Sequence, residues 1–127
     1  MATGDASVDA SGATNVYVFD GAEAEVRDEV TLFAGDNATI YARGNAEISA
    51  NDNSTVEARG KAGVKAFDSS KIKAYGEVTV YARDKSEVDA YESARIEAFG
   101  GAVIRNHSTE AQIRSHSDTV TVIHDDR

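Results

Sequence analysis

The sequence predicts an all-β chain: a flattened, two-sheet parallel β-solenoid with two octads, sixteen residues, to each coil and about seven coils. Three observations lead there. Apolar residues recur every eight positions, in the series Val8, Val16, Ala24, Leu32, Ile40, Ile48, Val56, Val64, Ile72, Val80, Val88, Ile96 and Ile104. Small or apolar residues stand two positions before each of these anchors and usually two after, so the unit reads small-x-(Val/Ile)-x-Ala-x-(Gly/Asp)-x. The residue four after the anchor alternates between octads: Asp20, Asp36, Asp52, Asp68 and Asp84 on one side, Gly12, Gly44, Gly60 and Gly76 on the other, with Asp28 as the exception. That alternation doubles the structural period from eight residues to sixteen.

Within an octad such as Ala38-Thr39-Ile40-Tyr41-Ala42, every second side chain is apolar and the others are polar or large. Period two over five residues is a half-buried strand, since a helix would bring together neighbours three and four apart. The next three residues, such as Arg43-Gly44-Asn45 or Asn51-Asp52-Asn53, are turn formers that accept positive φ or make Asx-turns. Each octad is thus one strand and one tight corner. Identical strands favour stacking on identical copies, parallel and in register, with Val, Ile and Ala of the two sheets meeting in the middle. At a strand spacing of ~4.8 Å, seven coils make a rod roughly 35 Å long.

The composition suits so thin a body. The 127 residues include no Trp, Cys or Pro, and most of the apolar content is Ala and Val. Without Cys there is neither a disulfide framework nor a thiolate metal site. A net charge of −9 argues against nucleic acid as a partner, because phosphate contacts need clustered Lys and Arg. No apolar stretch approaches the ~20 residues of a membrane span, and residues 1–20 show no signal-peptide pattern; localisation is left open.

In-register stacking places residue i beside i+16, and the outward rows obey the sign rule this demands. The row Glu57, Lys73, Asp89, Arg105 alternates in charge, as does Lys71 beside Glu87. Residues 1–104 form the regular repeat. Residues 105–127 are degenerate: Arg105-Asn106-His107-Ser108 and Arg114-Ser115-His116-Ser117 are alike but nine apart, so one extra residue enters near Thr109-Glu110, and Asn106 and Ser115 replace the inward Ala. A degenerate last coil is expected to act as a cap on the open edge. At the other end the pattern begins at once, which makes Ala6, Val8 and Ala10 a candidate docking edge.

All nine aromatic residues fall one or three positions after an anchor and are expected to face outward. Tyr17, Phe19, Phe33, Phe67, Tyr81 and Phe99 share one sheet and are the candidate interface, while Tyr41, Tyr75 and Tyr91 lie on the other. Carboxylates repeating at the coil spacing suggest calcium along Asp20, Asp36, Asp52, Asp68 and Asp84, but Asx-turn bonding accounts for that row without a metal. His107, His116 and His124 should alternate between sheets and not converge on zinc. No nucleophile–base arrangement or nucleotide-binding glycine loop is legible, so neither enzyme activity nor a cofactor is expected.

The octads, with Asp36-Asn37-Ala38-Thr39-Ile40-Tyr41-Ala42 as the clearest copy, resemble the tandem octapeptide repeats of bacterial proteins. Their pairing into sixteen-residue coils is distantly similar to the repeat of bacterial ice-nucleation proteins over roughly residues 2 to 104. That resemblance implies a flattened β-solenoid that self-associates and ends in Arg-rich coils, here matched only by Arg105, Arg114 and Arg127. The family's Thr-x-Thr rows have one counterpart, Thr119-Val120-Thr121. The expected role is a structural, self-associating solenoid, a homo-oligomer or filament built end to end or through the aromatic face. An ice-binding or glycan-binding surface is one alternative. A rigid spacer within a larger surface protein is another.

Overall fold

The computed structural model describes residues 7–12, 14–108 and 110–124. Among them are fifteen four-residue strands: β1 Ser7–Ala10, β2 Asn15–Val18, β3 Glu23–Val26, β4 Thr31–Ala34, β5 Thr39–Ala42, β6 Glu47–Ala50, β7 Thr55–Ala58, β8 Gly63–Ala66, β9 Lys71–Ala74, β10 Thr79–Ala82, β11 Glu87–Ala90, β12 Arg95–Ala98, β13 Val103–Asn106, β14 Gln112–Ser115 and β15 Thr121–His124. Odd-numbered strands form an eight-stranded sheet and even-numbered strands a seven-stranded one, each in chain order. Every pairing is parallel, and from β1 to β13 each residue lies beside the one sixteen later, as in Ile40 beside Val56 and Ile48 beside Val64. The molecule is therefore a two-sheet β-solenoid of about seven turns with some sixteen residues per coil.

The alternation in the sequence becomes the burial pattern. Ala38, Ile40 and Ala42 are sealed inside, and the same three positions of the following octads are occupied by buried Ala, Val, Ile or Ser. Each fully buried Val, Leu or Ile contributes about 1.5–3 kcal/mol. The larger side chain sits at mid-strand and the small ones beside the corners, which lets the two sheets close together at their margins.

Corners extend the ladder rather than interrupt it. The Asn53 N–H donates to Asp36 O at 2.9 Å and the Lys61 N–H to Gly44 O at 3.0 Å, each joining one coil to the previous one. A bond across the corner, such as Ser54 N–H to Asn51 O at 3.2 Å, closes many of the turns. Each regular corner contains a residue of positive φ, from Asp20 to Asp84 and then Gly100 on one side, and Gly12, Asp28, Gly44, Gly60, Gly76 and Glu92 on the other. At Gly60, with φ +73°, a Cβ would come within 3.2 Å of the Gly44 nitrogen, so stacking as well as conformation favours glycine there.

The end of the chain departs from the sequence reading in its count of inserted residues. Two residues are inserted rather than one, since Arg95 pairs with Gln112 and Val103 with Thr121, at separations of seventeen and eighteen. The second insertion lies in the Ser117–Val120 corner, where the absence of a regular octad to either side conceals it from a period count. Within segment 105–127, β14 and β15 are the last described strands, one in each sheet. Ala111, Ile113, Val120 and Val122 there are only partly buried against the last regular coil. Asn106 is buried in an inward Ala position, and its Oδ1 accepts the Ser108 N–H at 3.0 Å.

Candidate functional site

With the interior given over to packing, the candidate sites are the outward columns and the two ends. The Asp column lies along one corner. The Asp20 N–H donates to Asp36 Oδ2 at 3.2 Å, Asp36 to Asp52 at 3.1 Å, Asp52 to Asp68 at 3.2 Å and Asp68 to Asp84 at 3.1 Å. Each carboxylate thus binds the amide one coil back, whereas the sequence reading placed the bond inside its own turn as an Asx-turn. The left-handed conformation explains the change by directing the side chain over the preceding coil. Asp28 does the same to Gly12 on the opposite corner, at 3.3 Å. Among the described residues no group of three or more His, Asp or Glu side chains could hold a metal ion.

The six aromatic residues of the candidate interface divide between two settings. Tyr17, Phe33 and Tyr81 stand on β2, β4 and β10 and project from the even-numbered sheet, 44%, 37% and 39% exposed. Phe19, Phe67 and Phe99 lie one step past the strands, at the corner, and are half-buried. A Cβ on Gly35 would meet the Phe19 ring at 2.9 Å, so that ring lies against glycine backbone. The Arg83 guanidinium sits between Phe67 and Phe99, 6.0 and 5.2 Å from their centroids, and His116 stacks on Phe99 at 4.6 Å. These three Phe rings belong to a corner column rather than to a flat apolar face.

The opposite corner holds a second column, which counting residues within each sheet overlooked. Arg59 lies 4.8 Å from the Tyr75 centroid, Tyr75 stacks on Tyr91 and Tyr91 on His107, both at 4.7 Å. Its signal was the sixteen-residue spacing of Arg59, Tyr75, Tyr91 and His107. His107 and His116 consequently end separate columns, and the side chain of His124 lies outside the described residues.

Charge rows are adjacent as the register requires, with Lys73 beside Glu57 and Asp89, Asp89 beside Arg105, and Lys71 beside Glu87. The short contacts, however, run diagonally: Arg105 to Glu87 at 3.1 Å, His107 to Asp89 at 3.0 Å and Arg27 to Asp9 at 3.4 Å. Val103 stands directly opposite Glu87 and offers it no partner, so the longer Arg105 reaches back.

On the even-numbered face the ring column is interrupted. Tyr17 and Phe33 stack with centroids 5.2 Å apart. Ser49 and Lys65 follow on β6 and β8 before Tyr81 resumes the column on β10. The interruption is a groove of about 290 Å³, walled by Phe33 and Tyr81 and floored by Ser49, Gly63 and Lys65. Outward threonines do not form long rows: Thr39 and Thr55 are neighbours on one sheet, and Thr31 and Thr79 are separated by Glu47 and Gly63 on the other.

Among the described residues β1 and β2 end the two sheets on one side and β15 and β14 on the other. Val8 and Ala10 of the candidate docking edge are partly buried there, and Ala6 lies outside the described residues. Comparison with family models, curated proteins and solved structures returns no match for this chain.

Proposed function

We propose that this chain is a non-enzymatic structural solenoid that assembles with itself end to end. The observation supporting this most directly is the form of its two ends. Among the described residues each presents strand edges that no further strand pairs, over partly buried aliphatic side chains: Val8 and Ala10 at one, Ile113, Val120 and Val122 at the other. Such edges template pairing with further strands. A second copy that continues the register places its β1 beside β15 in the odd-numbered sheet, and the even-numbered sheet, one strand shorter, leaves one strand position open between β14 and that copy's β2.

The test is electron microscopy and sedimentation of purified protein across a range of concentrations. Assembly into rods longer than one molecule, abolished by Val8→Lys with Val122→Lys, supports the reading. A monomer at every concentration refutes it. The groove between Phe33 and Tyr81, with Lys65 at its floor, favours a second reading as a glycan-binding surface. A glycan array, with Phe33→Ser as control, tests it.

A further inference from the structure

We propose that two copies of this chain also dock laterally through the even-numbered sheet, the stacked Tyr17 and Phe33 of each filling the groove between Phe33 and Tyr81 of the other. The inference rests on the reading of the chain as self-associating, but it uses a different surface. From β4 to β10 is three strand spacings, ~14 Å. Rings on neighbouring coils of this molecule stack at about that single spacing, 4.7 Å for Tyr75 and Tyr91 at the corner and 5.2 Å for Tyr17 and Phe33 on the strands. The interruption therefore has room for two rings. Among the described residues the stacked pair on the same face, Tyr17 and Phe33, is two rings tall.

Symmetry brings the two together. A two-fold axis parallel to the strands, between β4 and β6, reverses the stacking direction but keeps strand direction, so the aromatic row of one copy falls on that of the other. Phe33 then lies over the partner's Ser49, and Tyr17 over the partner's Lys65. The combined column runs partner's Tyr81, Tyr17, Phe33, partner's Phe33, partner's Tyr17, Tyr81. The two gaps close at once. Gly63 lies beside Lys65 on β8, and a Cβ there would touch nothing within 4 Å, so Lys65 has space to lean aside toward Glu47.

The docking face itself is nearly uncharged: of the outward residues on β2, β4, β6 and β8, only Glu47 and Lys65 carry charge. The contact therefore rests on the fit of the rings into the interruption. Four short strands on each copy cover roughly 250 Å², well below the ~800 Å² per partner of a standard stable interface. The contact is accordingly weak and reversible.

The test uses protein carrying Val8→Lys and Val122→Lys, so that end-to-end assembly is blocked and its failure is read separately. In sedimentation equilibrium this protein is expected to form dimers at high concentration. Filling the groove from within by Ser49→Tyr with Lys65→Tyr makes the face more apolar, yet should weaken the dimer by about tenfold or more. Phe33→Ser should weaken it similarly, and circular dichroism checks that each variant keeps its strands. Dimers as tight or tighter in the Tyr-filled variant would show a general apolar patch and overturn the proposal. A monomer at millimolar concentration would overturn it too, as would a glycan that binds the monomer and is lost with Phe33→Ser.

Discussion

Replacing Asp52 in the middle of the Asp column separates the two tasks this residue performs. It adopts φ 57°, and its carboxylate accepts the Asp36 N–H at 3.1 Å. Hydrogen bonds to charged groups are worth about 1.5–3 kcal/mol, and the water available at this exposed corner reduces the loss to about 1 kcal/mol. A left-handed conformation costs an ordinary L-residue about 1–2 kcal/mol. Asp52→Ala incurs both and should lose about 2–3 kcal/mol. Asp52→Asn keeps an acceptor and a residue tolerant of positive φ, so it should lose under about 1 kcal/mol. Asp52→Gly loses the bond but has no Cβ to strain, and should fall between them. Urea unfolding followed by circular dichroism gives the order, and hydrogen exchange at the Asp36 amide gives the local effect. Equal stability of the Ala and Asn variants, or unchanged protection at Asp36, would refute the assignment of a backbone-binding ladder.

Ile72→Ala, in the middle of the stack and 1% exposed, should cost about 2–5 kcal/mol, whereas Ile113→Ala at the partly buried end should cost much less; thermal melts compare them. Ser54, Ser70 and Ser86 form a fully buried column whose hydroxyls have no hydrogen-bond partner among the described residues. Changing each to Ala should therefore raise stability by about 1 kcal/mol, and a fall in the unfolding midpoint would show that the hydroxyls are satisfied. Gly60→Ala should lose about 1–2 kcal/mol in the same unfolding assay, through its left-handed backbone and the approach to the Gly44 nitrogen.

The fold was legible because one rule governs it. Alternation gives the strand, the Asp and Gly positions give the corner, and their exchange between octads gives the coil, so Ile40 beside Val56 follows by counting. Counting failed where chain geometry beyond the register intervened. It placed Phe19, Phe67 and Phe99 on the same face as Phe33, but they stand past the last strand residue, where the chain has begun to turn. It paired Arg105 with Asp89 directly, although side-chain length and the opposing Val103 select Glu87. The second insertion, near Asp118, lacks a flanking octad to betray it.

Stacking also shows where this surface is free to differ from coil to coil. An inward residue must fit between two sheets, and a corner residue must tolerate positive φ above another corner. Repeating a charged residue along a column is costly unless each copy finds its own partner, as the Asp side chains do in backbone amides and Arg59 does on Tyr75. Outward positions meet only the cross-strand rule, and it is there that the sequence varies: Thr, Glu, Gly, Thr and Arg succeed one another from Thr31 to Arg95, and Phe, Ser, Lys, Tyr and Glu from Phe33 to Glu97. If stacking alone shaped the second row, a ring on every strand would serve it best, since Tyr17 and Phe33 already stack. The interruption at Ser49 and Lys65 is thus not what stacking would favour, and a partner that supplies the two rings from outside gives it a reason.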